Sequence, residues 1–279
     1  MKKCVLFVFM LTLFTMCWTG CSDKKPTVSD STAVDSVADS AETDTMEQII
    51  TDTPMPKAAD ELFDDFIFNF AANRKLQYKR IMFPLKVYNG KHIDSLLKTQ
   101  WKMEHFFMRQ GYYTLIFDNV KQMDVVKDTS INHVVIEKIS LHKNHVKQYV
   151  FNRVNGQWMM TAINNQAVYQ STNSSFLKFY QRFAVDSAFQ CKSLSDPVKF
   201  IGPDPDDDFS TMEGIITPDT WPAFAPQLPS GLIYNIIYGQ QYKDSKKKIF
   251  VMRGIANGLE VEMTFIKKGN IWRLSKLVN

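Results

Sequence analysis

Cysteine is scarce in this sequence and poorly placed for pairing. Of the four, Cys4 and Cys17 lie in an N-terminal apolar run, Cys21 closes that run, and only Cys191 lies farther along. No disulfide framework is expected from such a set, and a lone thiol cannot supply the roughly four ligands of a zinc site. Histidine is almost as rare, with five residues in 279, and His142 and His145, which stand together, lack a third ligand. No glycine-rich phosphate loop and no Ser-His-Asp order is present. Charge of one sign is not in excess either: 33 Lys and Arg face 29 Asp and Glu, for a net +4. Without a basic helix or an aromatic-interleaved basic patch, that balance argues against nucleic acid as a partner. The expectation is therefore no catalytic constellation, no metal and no cofactor.

What the sequence does have is an internal repeat. Phe63, Phe66, Phe70, Ala71, Gln77, Lys79, Ile81, Pro84, Leu85 and Val87 recur as Phe176, Phe179, Phe183, Ala184, Gln190, Lys192, Leu194, Pro197, Val198 and Phe200. Every pair is 113 positions apart (176 − 63) with no gap, so two related units in tandem are expected. Farther along, Trp221 answers Trp101, Gly231 to Tyr234 answer Gly111 to Thr114, and Trp272 answers Trp158. The offset is 120 for the first two of these landmarks because seven residues are inserted near Gly202 to Ser210; it is back to 113 at Gly269 and is 114 at Trp272.

Charge is unevenly distributed. Residues 22–57 carry eight acids and three bases, a net of −5, residues 1–20 carry Lys2 and Lys3, and the remainder is +7 (4 − 2 + 5). Residues 1–20 read as a secretory signal, with a positive start and an apolar run shorter than the about 20 residues of a membrane span. The run ends Trp18-Thr19-Gly20-Cys21, which resembles a bacterial lipobox and implies lipidation at Cys21. Ser22 after it resembles outer-membrane sorting. Residues 21–57 hold Ser, Thr, Asp, Ala and Val with almost no aromatics, so they read as a flexible acidic tether. Four triplets centred on Ser31, Ser36, Ser40 and Thr45 resemble the Asp-Ser/Thr-small-or-aliphatic acceptor of O-glycosylation in Bacteroidetes. A plain acidic spacer is the alternative.

Within each unit the pattern predicts helices followed by strands. Asp60 and Glu61 suit the first turn of a helix carrying Leu62, Phe63, Phe66, Ile67 and Phe70. Leu76 to Val87 reads as a turn and the start of a strand, and His92 to Met108 as a second helix around Ile93, Leu96, Leu97, Trp101 and Phe106. Strands are expected from Tyr112 to Phe117, Val134 to Leu141, His145 to Val154 and Gln157 to Ile163, the last two joined by a tight hairpin at Asn155-Gly156. In the second unit Asn173, Ser174 and Ser175 offer helix caps. Asp204 to Asp208 reads as a solvated inserted loop that lacks the glycine and glutamate of a calcium loop. Lys243 and Lys246 to Lys248 read as a soluble hairpin turn, and Cys191 as a small buried hydrophobe.

A helical start wrapped by a curved antiparallel sheet resembles the nuclear transport factor 2-like, or cystatin-like, α+β cone. With lipobox, acidic tether and two such units, the chain resembles an uncharacterised family of Bacteroidetes lipoproteins. The resemblance implies two tandem cone-shaped domains, residues 58–170 and 171–279, each with N-terminal helices packed on a curved antiparallel sheet. It also implies a pocket in each cone, for which Trp101, His105, Tyr112, Tyr113, Asp118, Trp221, Tyr234 and Tyr238 are the candidate residues; the two tryptophans also read as core. The functional expectation is a lipid-anchored cell-envelope protein, on the periplasmic or surface face of the outer membrane, that binds a small ligand or an envelope protein without catalysis. The alternative is an enzyme with an acid–base pair in one cone. A monomer is expected, with the two repeats packed as a pseudo-dimer.

Overall fold

Phe63, Phe66, Ile67, Phe70 and Ala71 all fall on one side of a helix, α1 (Phe63–Ala72), and are fully or almost fully buried. The computed structural model describes residues 60–240 and 245–279. The signal, the tether, Cys21, the four acceptor triplets and Lys243 lie outside the described residues. Asn73 ends α1 and caps α2 (Arg74–Arg80) by accepting from the amide of Leu76 at 2.9 Å. In the second repeat α3 (Ser174–Phe183) ends at Ala184, and Asp186 caps α4 (Ser187–Lys192) by accepting from the amide of Phe189 at 2.8 Å. Among the described residues no helix is long and apolar enough to cross a membrane.

The strands are β1 (Ile81–Asn89), β2 (His92–Leu96), β3 (Tyr112–Phe117), β4 (His133–Ser140), β5 (His145–Val154) and β6 (Gln157–Ala167) in the first half. The second half supplies β7 (Leu194–Asp204), β8 (Asp207–Ile216), β9 (Leu232–Ile237), β10 (Lys247–Gly254), β11 (Glu260–Lys268) and β12 (Ile271–Val278). A four-residue helix, α5 (Trp221–Phe224), precedes β9. These twelve strands of the described residues form one sheet in the order β2-β1-β6-β5-β4-β9-β3-β10-β11-β12-β7-β8. The two repeats therefore do not close separate sheets. The third strand of each sits among those of the other: β9 pairs antiparallel with β4, and β3 pairs antiparallel with β10.

Successive residues of a strand face opposite sides, and the central strands use both sides for core. Leu115 and Phe117 join one apolar core while Ile116 joins another; Ile249 and Val251 join the first, Phe250 and Met252 the second. The helices of the first half cover the first core and those of the second half cover the other, so the two cores lie on opposite faces of the shared sheet. Matching aromatic contacts repeat in each. Phe70 meets Phe151 edge-on at 5.5 Å, and Phe183 meets Phe265 edge-on at 5.3 Å.

Several local expectations are corrected. His92 to Met108 is not a helix: β1 turns at Gly90, with φ of 63°, into β2, and the chain then runs through one tight turn at Lys98–Gln100 into an extended segment. Ile93 and Leu97 are more than half exposed, while Leu96, Trp101 and Phe106 reach the first core from a strand and an extended segment, so the residues of the apparent stripe do not share one face. Leu76 to Arg80 belongs to α2 rather than to a turn. Pro84 and Pro197 lie inside β1 and β7, where the pairing with β6 and β12 shifts register. Such irregularities are where a strand tolerates a residue without an N–H. Asp60 is not in the first turn of α1; it accepts two hydrogen bonds from Arg80 at 2.7 and 2.9 Å. Asn173 makes no cap hydrogen bond, because its Oδ1 accepts from Lys248 at 2.7 Å. Asp204 to Asp208 is the tip and start of the β7–β8 hairpin rather than a loop. Lys248 is a buried β10 residue and not part of a soluble turn. Cys191 is half-buried, with a free thiol packed beside the second core. At the β5–β6 turn Asn155 and Gly156 both have positive φ, 50° and 78°, the geometry of the tight hairpin expected there.

Candidate functional site

The segment after Trp101 is held by one side chain. Gln77 on α2 is fully buried, and its Nε2 donates to the carbonyls of Phe70 and Glu104 at 2.9 and 2.7 Å. Its Oε1 accepts from the indole of Trp101 and the amide of Glu104 at 3.0 and 3.1 Å. Gln190 repeats half of this device, donating to Phe183 and accepting from the Trp221 indole at 2.7 and 3.0 Å. Trp101 and Trp221 are therefore core residues whose one polar atom is satisfied by a matched glutamine.

Gln77 thus fixes Glu104 over the first face of the sheet. There the Glu104 carboxylate accepts from Tyr149 at 2.5 Å, from Lys138 at 3.2 Å and from Tyr234 at 3.4 Å. Lys138 stands directly opposite Lys147 across the β4–β5 pair and opposite Tyr234 across the β4–β9 pair. Two like charges opposed in this way repel, and Glu104 supplies the intervening negative charge. Burial by itself would raise the Glu104 pKa, but the Tyr149 hydroxyl and the Lys138 charge outweigh it and hold the carboxyl below its usual range. Burial, and then the adjacent carboxylate, push the Tyr149 hydroxyl up; burial lowers the Lys147 ammonium. Glu104, Lys138 and Tyr234 of this cluster line a cleft of about 440 Å³ whose other walls include His105, Phe106, Arg109 and Leu232.

The second half has a cleft at the repeat-equivalent place. It measures about 570 Å³ and is lined by Tyr112, Phe224, Leu228, Pro229, Met252 and Val261, among others. Position by position, with the offset of 120, Phe224 stands where Glu104 does and Tyr112 where Leu232 does. The two clefts share a frame and differ in chemistry: one is charged, the other apolar.

Of the residues singled out from sequence, His105 and Tyr234 line the first cleft and Tyr112 the second. Tyr113 is buried, its hydroxyl pushed up to about 12 by burial and by the nearby Asp64. Asp118 is buried against Lys248 at 2.5 Å, and Tyr238 is buried and donates to Asp64 on α1. The last two pin the interleaved strands, with β3 held to β10 through Asp118 and the strand end after β9 held to α1 through Tyr238. Glu104, Lys138, Tyr149 and Arg109 were missed in the sequence. The available signal was Glu104 itself, an acid three residues past a tryptophan whose repeat counterpart is followed by phenylalanine at the same step.

A second polar row crosses the sheet. Glu137 on β4, fully buried, accepts from Gln148 at 3.0 Å and Asn235 at 2.9 Å, its directly opposed neighbours. Burial raises the Glu137 pKa against both hydrogen bonds, and Asn235 Oδ1 is buried without a partner. His145 and Lys143 line a shallow depression with Asn89. Among the described residues no three His, Cys, Asp or Glu side chains gather as a metal site.

The sequence profile of a domain of unknown function, DUF4348, matches residues 42–279. A solved structure of a nuclear transport factor 2-like protein from Bacteroides fragilis NCTC 9343 is similar, with 42% identity and a TM-score of 0.75. The similarity covers 81% of this chain and 98% of that one. No curated protein matches.

Proposed function

Taking as premise that the chain belongs to the DUF4348 family, we propose that it is a non-enzymatic binding module whose first-half cleft, around Glu104, receives a small ligand. The observation that carries this is the divergence of the two equivalent clefts: a common frame has been kept while charge is concentrated in one of them. A cleft of this size falls within the range of about 300–1000 Å³ typical of small-molecule sites.

The geometry speaks against the enzymatic alternative at this place. A general base working near neutral pH needs a pKa near that pH and a lone pair free to take a proton. Glu104 is held below its usual range and already accepts from three side chains.

The same reading takes the halves, residues 58–170 and 171–279, as tandem cone domains joined as a built-in pseudo-dimer through their interleaved third strands. A monomer is the corresponding solution state. Residues 1–57 are taken as signal and acidic tether, with Cys21 lipidated, Ser31, Ser36, Ser40 and Thr45 as glycan acceptors, and an outer-membrane address.

Ligand-observed NMR of the full chain in detergent against a fragment panel tests the binding reading. Hits should be lost in Leu232→Trp, which fills the cleft, and kept in Met212→Ala, which alters the remote β8 edge. Hits that all survive Leu232→Trp would refute the assignment of the cleft. Mass spectrometry of the mature chain tests the anchor: diacylation should be present in the parent and absent in Cys21→Ser.

A further inference from the structure

The hydrogen-bonding capacity of the first cleft is unequally used. Its one carboxylate, Glu104, is met by Tyr149, Lys138 and Tyr234. By contrast the Arg109 guanidinium and the His105 ring, both lining the cleft, have no side-chain partner among the described residues. The Lys147 ammonium, close enough for its charge to act on Glu104 and Lys138, lies over the Tyr149 ring at 4.9 Å and makes no ion pair of its own among the described residues. Counting Arg109 and Lys138 against Glu104, the lining carries a net +1 (2 − 1), to which the neighbouring Lys147 adds, with donors unmet and the acceptor saturated. The remaining wall is apolar, from Met103, Phe106 and Leu232. The equivalent second cleft holds no Lys, Arg or His in its lining.

From this imbalance we infer that the first cleft takes a small carboxylate with an apolar body. The carboxylate pairs with Arg109 at the mouth, and the body lies against Phe106, Leu232 and the Tyr234 ring. A planar guanidinium matches a carboxylate with two parallel hydrogen bonds, a geometry that lysine cannot reproduce. Glu104 has a positioning role. It holds Tyr234 and Lys138 in place and offsets the Lys138–Lys147 repulsion, so the positive field remains at the mouth instead of collapsing the β4–β5 pair. This inference rests on the binding reading of the cleft and adds the ligand class to it.

The test uses a matched pair of probes, 2-naphthoate and its neutral isostere 2-naphthamide, titrated calorimetrically into the full chain in detergent. The expected result is naphthoate binding at least tenfold tighter than the amide. Arg109→Gln, a change at an exposed side chain, should weaken naphthoate binding at least tenfold and so erase its preference over the amide, and Leu232→Trp should abolish binding of both probes. Equal affinity for the two probes, with both blocked by Leu232→Trp, would overturn the carboxylate inference and leave the binding reading standing. Naphthoate binding that survives Leu232→Trp, or no naphthoate binding at all, would also overturn it. In those cases the fragment panel decides the fate of the cleft separately. A preference that persists in Arg109→Gln would remove Arg109 from the role given to it and overturn the inference in the form stated.

Discussion

Gln77 and Gln190 occupy the same place in the two repeats and make different numbers of hydrogen bonds, which turns the chain into its own control. Replacing Gln77 by Leu deletes four bonds: to the carbonyls of Phe70 and Glu104, and from the Trp101 indole and the Glu104 amide. Replacing Gln190 by Leu deletes two, to the Phe183 carbonyl and from the Trp221 indole. At a net of about 1 kcal/mol for each buried hydrogen bond, the costs are about 4 and about 2 kcal/mol. With a urea slope of about 3 kcal/mol per molar, the midpoint should fall by about 1.3 M in Gln77→Leu and about 0.7 M in Gln190→Leu. The two cores share β3, β4, β9 and β10, so each variant should unfold in a single transition seen identically by fluorescence and circular dichroism. There is a functional corollary: only Gln77→Leu frees the backbone of Glu104, so only that variant should weaken ligand binding at the first cleft. A Gln190→Leu cost equal to or above that of Gln77→Leu would refute the reasoning. So would two separated transitions, which would mean that the halves are not coupled through the sheet.

Lys248→Met leaves the buried Asp118 carboxylate without its lysine, at a cost of about 3–5 kcal/mol. Adding Asp118→Asn should recover much of that loss in a double-mutant cycle. Glu104 has a folded pKa below its unfolded value, so its contribution to stability is present above the unfolded value, near 4.5, and is lost as pH falls through the folded one. Thermal melts from pH 7 to pH 3 should show an acid-side fall that is smaller in Glu104→Gln. Glu137 has the opposite sign: its raised folded pKa means stability is present at low pH and is lost as pH rises toward the folded value. Glu137→Gln should therefore melt higher than the parent at pH 8 by more than it does at pH 4. A new amide donor at that place can also meet Asn235 Oδ1 once the Asn235 amide turns over. At the β5–β6 turn, Gly156 has φ of 78° and open space around its α-carbon. Gly156→Ala should cost about 1–2 kcal/mol through backbone strain alone, measured by chemical unfolding.

Much of the local structure was legible in the residues themselves. The Phe63–Phe70 spacing gives α1, and its copy gives α3, because a helix brings every third and fourth residue to one side. The aromatic and β-branched run over Tyr112–Phe117 and the pattern over His145–Val154 give strands, and Asn155-Gly156 gives the hairpin, because few residues tolerate two successive left-handed conformations. His92–Met108 carries a helical pattern without forming a helix, because a spacing of three and four also arises by chance in a short strand followed by an extended segment. Only the turn at Gly90 and the exposure of Ile93 and Leu97 distinguish the two.

Of the site, His105 and Tyr234 could be picked out from sequence as pocket candidates, but the group that organises it could not. Glu104 looks like any surface acid until Gln77 fixes its backbone and three strands bring Tyr149, Lys138 and Tyr234 to its carboxylate from 45, 34 and 130 residues away. Lys248 looked like part of a soluble turn for the same reason.

By itself, then, the sequence determined the elements and their duplication, since helix and strand periodicity and turn preference act over a few residues and are written in side chains. Only the tertiary structure decided that β3 and β9 seat themselves in each other's halves. Strand pairing is made by backbone N–H and C=O groups that every residue carries, so the sequence pattern says that a strand exists without saying which strand lies beside it. The neighbour is chosen by which arrangement buries Ile116 and Ile236 on the two faces at once and supplies Lys248 for Asp118 and Asp64 for Tyr238.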